Sequence, residues 1–212
     1  MTARSKWYLP VKRAIDVVVS GAGLATTAPV MAVIAIFVRV RLGSPILFRQ
    51  VRPGKDGALF TLVKFRTMRN GSGADAERMT PLGHRLRSTS LDELPSLWNV
   101  LRGDMSLVGP RPLLPAYLLR YTPEQARRHE VRPGLTGLAQ VRGRNALSWA
   151  DKFAADTQYV DTLNLKTDLW ILWATISAVI SRRGISASDS ETMPEFMGSG
   201  QPDERELPGR RT

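Results

Sequence analysis

The hydrophobic pattern of the chain is dominated by one long apolar segment near its start. Residues 17–38 carry no charged side chain and are mostly apolar. As a straight helix this segment would extend ~33 Å, enough to cross a hydrocarbon core of roughly 30 Å. The pattern therefore predicts a helix that enters a membrane.

The flanks of this segment and its central proline argue against a simple crossing. Cationic residues favour the cytoplasmic side of a membrane, and here they lie at both ends, at Lys12, Arg13, Arg39 and Arg41. Pro29 lacks a backbone donor and clashes with the preceding turn, so we expect the helix to bend or break near Ala25 to Pro29. The hydroxyls of Thr26 and Thr27 can bond the freed carbonyls. Residues 1–42 are thus predicted to form a re-entrant helix-break-helix, with a kinked spanning helix as the alternative.

The rest of the chain predicts an α+β domain over residues 43–185. Strand patterns joined by a turn at 52–57 predict a small β-hairpin at 45–50 and 59–65. Helical periodicity and capping residues predict several short helices, and the intervening Gly- and Arg-rich stretch 131–145 is predicted as a loop. These helices are expected at 90–101, 122–129, 148–163 and 167–183.

The last predicted helix and the segment that follows it have distinctive compositions. The helix at 167–183 is apolar on every side between Leu169 and Trp173, which fits an interfacial membrane helix or a buried core helix. Residues 186–212 are rich in Ser, Gly, Pro and Glu and are predicted to be a disordered tail.

The charge of the chain points to an anionic partner. The 212 residues include 30 Lys and Arg against 19 Asp and Glu, a formal net charge of +11. Nucleic acid, anionic lipid headgroups and a phosphorylated substrate are all compatible with this excess. The sequence has no cysteine, which excludes disulfides and thiolate chemistry.

The acidic pair Asp92-Glu93 is the main candidate for chemistry, and it has two interpretations. Ser90 and Glu93 have the spacing of a capping box, a purely structural device at the start of a helix. The same position would keep Asp92 ionised, available as a nucleophile or Mg²⁺ ligand, with Glu93 assisting. The two interpretations are compatible. His84 and His129 lack metal-ligand spacing.

Basic residues near Gly and Pro form candidate anion cradles around these acids. Guanidinium forks suit phosphate, and Arg111 stands between two prolines that restrict its backbone. Loops that expose backbone amides beside Arg can bind anions. The candidate phosphate-binding residues are Lys64, Arg66, Arg87, Arg111, Arg132, Arg142 and Arg144.

Five motifs in fixed order carry a family resemblance. They are Lys64-Phe-Arg-Thr-Met68, Leu91-Asp-Glu93, Gly103-Asp-Met-Ser-Leu-Val-Gly-Pro-Arg-Pro112, Val131-Arg-Pro-Gly-Leu-Thr-Gly137 and Gly143-Arg-Asn-Ala146. Over roughly residues 10–185 the chain resembles the bacterial sugar transferases called monotopic phosphoglycosyl transferases. The resemblance implies Mg²⁺-dependent transfer of a phosphosugar from a UDP-sugar to polyprenol phosphate, with release of UMP. It implies a place on the cytoplasmic face of the bacterial inner membrane, at the first membrane step of glycan assembly.

The resemblance also implies roles for individual residues. Asp92 would be the nucleophile and hold Mg²⁺, Glu93 would assist, and Arg111 would hold phosphate. Further polar groups of the site would be Lys64, Arg87, Arg144 and Asp156, although a solvated helix face is the alternative for Asp156. The family's re-entrant helix usually has Ser before the breaking proline, whereas Ala28 precedes Pro29 here. The stretch 145–149 looks most like members that use acetamido sugars such as UDP-diacetylated bacillosamine.

A basic, membrane-attached nucleic-acid-binding protein or scaffold is the rival interpretation. Its support is the net charge. The basic residues, however, are interleaved with Pro/Gly loops rather than with stacking aromatics or a recognition helix, and aromatics make up only 7% of the chain. We therefore expect a UDP-sugar, polyprenol phosphate and the membrane as partners, and no nucleic acid.

Overall fold

The computed structural model of the chain describes residues 3–143, 146–181 and 195–198. The fold is α+β, as predicted. The helices are α1 (Ala3–Leu42), α2 (Asp75–Arg78), α3 (Pro81–Ser88), α4 (Leu97–Arg102), α5 (Pro123–Ala126), α6 (Leu138–Arg142), α7 (Trp149–Asp161) and α8 (Leu165–Ser181), with 3₁₀ turns at Lys55–Gly57, Leu91–Ser96, Pro115–Leu119 and Arg127–Glu130. The strands are β1 (Leu47–Pro53), β2 (Leu59–Phe65), β3 (Ser106–Val108) and β4 (Gly134–Thr136).

The predicted β-hairpin is confirmed, with β1 starting two residues later than expected. β1 and β2 pair in antiparallel register, and Phe48 lies opposite Lys64. Along the other edge of β2, the backbone forms hydrogen bonds with side chains. The Asn99 amide bonds the backbone of Thr61 and Val63, and Ser96 Oγ donates to the Val63 carbonyl at 2.7 Å. These bonds hold the acidic 3₁₀ turn against the strand that carries Lys64.

The stretch 131–145 was wrongly predicted as a loop. It contains β4, which pairs in parallel with β3, and also α6. The two strands approach so closely that a Cβ at Gly134 would lie 2.1 Å from the Gly109 nitrogen. Three-residue strands built around glycine are too short to show an alternating pattern, which is why the sequence did not reveal them.

Helix α1 does not break at Pro29. It is one helix of 40 residues with Pro10 and Pro29 inside it, so the chain stays helical through Pro29, and a bend at this point stays a prediction. Thr26 and Thr27 donate to the carbonyls of Ala22 and Gly23, ordinary bonds four residues back, and not to the carbonyl of Ala25 that the proline leaves unpaired. The re-entrant topology stays a prediction.

One face of α1 lies against the domain over both halves of the helix. In the first half, the Arg13 guanidinium donates to the carbonyls of Val100 and Leu101 at 2.7 Å each. In the second half, Ile34 and Val38 are buried in a cluster that contains other domain side chains. A series of buried or half-buried positions recurs every three or four residues, as expected for one helical face: 12, 16, 20, 24, 27, 31, 34 and 38. Further half-buried positions lie beside this series.

The opposite face of α1 is apolar and exposed, and α8 has a similar face. On α1 the exposed apolar residues include Val11, Val18, Val33, Ile36 and Val40. On α8 they are Leu165, Leu169, Trp170, Trp173 and Ile176, whereas Ile171 on its inner face is fully buried. One face of α8 is thus part of the core, and whether the other face lies at a membrane interface stays a prediction. Among the described residues, α1 is the helix long and apolar enough to cross a membrane.

A buried ion pair ties α1 to α8. Lys12 Nζ lies 2.6 Å from Asp168 Oδ2, and both side chains are less than a tenth exposed. The hydroxyls of Tyr8 and Tyr159 also donate to this carboxylate, each at 2.7 Å. Removing only one member of this ion pair should strongly lower the free energy of unfolding, because the other charge then stays buried without a partner.

Part of the predicted tail is packed rather than disordered. Phe196 is buried in an aromatic cluster with Tyr117, Tyr121, Trp149 and Phe153. Arg120 donates to the Phe196 carbonyl at 2.5 Å and pairs with Glu195. The prediction of disorder was therefore wrong for 195–198, because an isolated aromatic residue in a polar stretch did not reveal its binding cluster. The remainder of 186–212 lies outside the described residues.

We predict that Lys12→Met lowers the free energy of unfolding by about 3 kcal/mol, because it leaves the Asp168 carboxylate buried without its cation. The double variant Lys12→Met/Asp168→Asn should regain part of that loss, because it removes the unpaired charge and keeps an oxygen that can accept from a tyrosine hydroxyl. Chemical denaturation in detergent measures both. Lys55→Met is the control, since the exposed Lys55–Asp56 pair should change stability by less than about 0.5 kcal/mol. Equal effects of Lys12→Met and Lys55→Met would show that the buried Lys12–Asp168 ion pair does not stabilise the packing of α1 against α8.

Candidate active site

The acidic pair lies in the 3₁₀ turn Leu91–Ser96 and does not form the predicted capping box. Ser90 adopts a left-handed conformation (φ 57°, ψ 15°) and its side chain makes no capping bond. The Glu93 amide donates to the Ser90 carbonyl at 3.2 Å instead. The Glu93 side chain does not reach back to Ser90, because two cations hold it. The structural interpretation of this pair was therefore wrong.

Glu93 is the anionic centre of the site. Its Oε1 forms an ion pair with Lys64 on β2 and lies 3.3 Å from Arg111 Nη2. Burial alone would raise the pKa of Glu93, but Lys64 and Arg111 outweigh it and lower the pKa to about 2. Glu93 is thus ionised at neutral pH and fixes the positions of two cations.

Asp92 is buried but unpaired. Its residue is 7% exposed, and its carboxylate makes no hydrogen bond or ion pair with another residue that the structure describes. Burial raises the pKa of Asp92 to about 6, and the charge of Glu93 adds to this, against the cations Lys64, Arg87 and Arg111. The helix terminus was therefore the wrong reason for expecting an ionised Asp92. The surrounding cations keep its pKa below neutrality.

Arg87 reaches the site from α3, whose position depends on a close backbone contact. A Cβ at Gly83 would lie 1.9 Å from the Thr67 carbonyl oxygen, so α3 can pack here only with glycine at that position. Thr80 caps the helix by accepting from the Gly83 amide at 3.0 Å. Arg87 Nε donates to Thr67 Oγ1 at 3.1 Å. The positive charge of Arg87 is close enough to Asp92 to lower the pKa of that carboxyl group.

Asp156 supports the Arg111 loop and does not join the acidic pair. It forms a buried ion pair with Arg128 at 2.7 Å, and the two side chains are 4% and 2% exposed. Arg128 in turn donates to the Arg111 carbonyl at 2.7 Å. The solvated helix face expected as the alternative for Asp156 is wrong. Sequence analysis assigned no role to Arg128, because Glu124 and Glu130 lie near it in the sequence and nothing indicated that its partner is Asp156, 28 residues away.

Several predicted phosphate-binding residues do not reach the acidic pair. Arg66 binds the carbonyls of Leu42 and Gly43, Arg132 binds that of Gly103, and Arg142 binds Gln158. Arg144 lies outside the described residues. The structure thus brings together Lys64, Arg87, Arg111, Asp92 and Glu93.

Comparison with known proteins decides the family. The sequence model of the family described as bacterial sugar transferase matches residues 7–182. The chain belongs to the bacterial sugar transferase family.

Individual relatives of this transferase agree with that assignment. The "Uncharacterized sugar transferase EpsL" of Bacillus subtilis (strain 168) is 48% identical over 90% of the chain and 97% of its own length. The UDP-glucose:undecaprenyl-phosphate glucose-1-phosphate transferase of Caulobacter vibrioides is 42% identical over 80% of the chain and 70% of its own length. The undecaprenyl-phosphate galactose phosphotransferase of Salmonella typhimurium is 38% identical over 87% of the chain, but the match covers 43% of that longer protein.

The acidic pair of the transferase suits a divalent cation only together with a substrate. No group of three or more acidic or histidine side chains that could hold a metal occurs in the part of the chain that the structure describes. Mg²⁺ is usually held by one or two carboxylates together with substrate phosphates and water. The unpaired Asp92 carboxylate meets this requirement, whereas Glu93 is already engaged by two cations.

We predict that Asp156→Ala lowers the free energy of unfolding of the transferase by about 3 kcal/mol, because it leaves Arg128 buried without its anion. The matched control is Asp161→Ala on the same helix, which removes the partly exposed pair with Arg127 and should cost less than about 1 kcal/mol. Denaturant unfolding measures the difference. Similar losses in both variants would show that the buried Asp156–Arg128 pair contributes no more to the free energy of unfolding than the partly exposed pair does.

Proposed function

We propose that this phosphoglycosyl transferase moves a sugar phosphate from a UDP-sugar to polyprenol phosphate and releases UMP, through a covalent intermediate on Asp92. The observation that carries the proposal is the unpaired carboxylate of Asp92, a residue only 7% exposed, beside three cations. The named relatives support the overall reaction, since two of them are undecaprenyl-phosphate sugar transferases. The reaction begins the assembly of a glycan on its lipid carrier.

The chemistry proceeds in two displacements at one phosphorus. An Asp92 oxygen attacks the β-phosphorus of the UDP-sugar, and the bond from that phosphorus to the bridging oxygen breaks, so that UMP leaves with the electron pair. A phosphate oxygen of the lipid then attacks the same phosphorus and displaces the Asp92 carboxylate. The nucleotide and the lipid therefore need not occupy the site together.

The surrounding residues supply electrostatic stabilisation. Charge develops on the diphosphate oxygens during each displacement, and Lys64, Arg87 and Arg111 are positioned to offset it. Glu93 keeps Lys64 and Arg111 in place. Mg²⁺, held by Asp92 and substrate oxygens, would neutralise further phosphate charge.

For the sugar we propose an acetamido sugar such as diacetylated bacillosamine. The support is the resemblance of the 145–149 stretch. The named transferases of Caulobacter and Salmonella use glucose and galactose. A panel of UDP-sugars that includes both, with UMP release as the readout, decides between them.

The contacts of α1 support a monotopic position on the cytoplasmic face. Both halves of α1 contact the same domain, and a helix that crossed the membrane would carry one half away from it. The exposed apolar faces of α1 and α8 would lie in the membrane. The basic residues at both ends of the apolar segment favour the cytoplasmic side.

We predict that both ends of α1 are labelled from the same side of the membrane. The chain has no cysteine, so single cysteines at exposed Trp7 and Arg41 report on each end. An impermeant maleimide should label both in inside-out vesicles and neither in right-side-out vesicles. Lys55→Cys serves as the control for the side of the domain. Labelling of positions 7 and 41 from opposite sides would contradict a monotopic arrangement.

We predict that Asp92→Asn abolishes both half-reactions, each by on the order of a thousandfold or more, because the amide cannot act as the nucleophile. The wild type should release UMP from the UDP-sugar before any lipid is added. Folding should be intact, since burial already disfavours the ionised carboxylate. Asp161→Asn is the matched control. UMP release only in the presence of lipid would favour direct transfer in a ternary complex.

We predict that EDTA stops UMP release and that excess Mg²⁺ restores it, because the diphosphate charge is then no longer neutralised. Raising the salt concentration from 50 to 200 mM should change turnover only a few-fold. A nucleic-acid-binding protein would lose affinity by orders of magnitude over this range and would not respond to EDTA. UMP release that continues in EDTA would exclude the metal from the mechanism.

A further inference from the structure

The segment 195–198 contacts the domain in the way that a bound short peptide would. The Phe196 amide donates to the Tyr117 hydroxyl at 3.1 Å, and the Phe196 carbonyl accepts from Arg120 at 2.5 Å. Arg120 also pairs with Glu195 at 2.7 Å. Phe196 itself is only 4% exposed. Both the main chain and the side chain of Phe196 are therefore held in one position.

The Phe196 ring lies among aromatic rings from two parts of the domain. Its centroid is 4.9 Å from that of Phe153 and 5.5 Å from that of Trp149, both on α7. It is 5.6 Å from the Tyr117 centroid and 6.0 Å from the Tyr121 centroid, and these two residues come before α5. The Phe196 ring thus joins α7 to the part of the chain that precedes α5.

Arg111 lies just before this part of the chain. Leu113 and Leu114 pack against the same aromatic cluster, so the chain is anchored there two residues after Arg111. The Arg111 side chain is 50% exposed and reaches Glu93 at 3.3 Å. Packing around the side chain therefore does little to fix the guanidinium, and its position depends on how firmly the backbone of Arg111 is held.

A second set of contacts leads from the Phe196 ring to the Arg111 backbone. Tyr121 and Phe153 both contact Phe196, and Arg128 Cζ lies 5.7 Å from the centroid of each of these two rings. Arg128 also donates to the Tyr121 hydroxyl at 3.1 Å and to the Arg111 carbonyl at 2.7 Å. The contacts are continuous from Phe196 to Arg111. Removing the Phe196 ring would leave a gap behind both rings, which packed surroundings close only in part.

We propose that Phe196 is a positioning residue, which holds the backbone of Arg111 so that the guanidinium stays beside Glu93. The aromatic cluster and Arg120 form the docking site for this segment of the same chain. The proposal rests on the proposed function, in which Arg111 offsets charge on the diphosphate. Phe196 does not touch the substrate in this role, and its effect on turnover passes through Arg111.

The kinetic test compares Phe196→Ala with Met197→Ala in the full chain reconstituted in lipid nanodiscs. Met197 is the next residue, is 57% exposed and lies outside the aromatic cluster. Phe196→Ala should lower kcat for UMP release about tenfold, because a small misplacement of a catalytic group costs rate. KM for the UDP-sugar should stay within twofold, since Arg111 acts mainly on charge that develops in the transition state. Met197→Ala should stay within twofold of the wild type in both constants.

The same substitution in the Arg111→Gln background separates positioning from a general loss of stability. Since Phe196 acts through Arg111, Phe196→Ala should have no further effect on kcat in Arg111→Gln. A substitution that only destabilises the fold would lower kcat by the same factor in both backgrounds, and that result would overturn the proposal. Wild-type kinetics for Phe196→Ala would overturn it as well.

A spin label follows the same segment without any measurement of activity. The chain has no cysteine, so a nitroxide on Ala116→Cys, at an exposed position beside Tyr117, reports on the chain that follows Arg111. Its EPR spectrum should show greater mobility in Phe196→Ala but not in Met197→Ala. An unchanged spectrum would overturn the proposal. A wild type that releases no UMP would refute the proposed function, while the spin label would still decide whether Phe196 holds this segment.

Discussion

The ion pairs of Glu93 with Lys64 and Arg111 are the interaction on which the site depends. They bring a strand, a 3₁₀ turn and a Pro-rich loop to one point, although these elements are far apart in sequence. They also occupy Glu93 so completely that the neighbouring Asp92 is left as the unpaired carboxylate. Two adjacent acids thus acquire different roles from their surroundings alone: one organises cations and the other remains available for chemistry.

The remainder of the fold holds these three elements in place. Asn99 and Ser96 fasten the 3₁₀ turn to β2, and the Asp156–Arg128 pair supports the Arg111 carbonyl. Helix α1 is bound to the same framework through its Lys12–Asp168 ion pair and through carbonyls of α4. The membrane-associated helix and the site are therefore parts of one structure. An acceptor that arrives from the membrane would meet cations whose positions are already fixed.

Local patterns in the sequence predicted the hairpin and the helices after residue 148, because periodicity and motif spacing act over short distances. The role of Asp92-Glu93 stays a prediction. Local patterns could not predict which cation pairs with which acid. The capping box was wrong because Glu93 found partners on β2 and on the Arg111 loop, 29 and 18 residues away. The chain remains helical through Pro29, since a helix packed along one face can retain a proline. The packing of Phe196 depends on aromatic residues that are far from it in the sequence.

The central claim is that Asp92, left unpaired by its neighbour, becomes bonded to the sugar phosphate. Intact-protein mass spectrometry after incubation with the UDP-sugar and Mg²⁺, without lipid, tests it most directly. The account predicts an added mass equal to one phosphosugar, found after proteolysis on the peptide that contains Asp92, and its loss when polyprenol phosphate is supplied. A protein that turns over substrate but carries no adduct on rapid trapping, or carries it on another residue, would contradict the account.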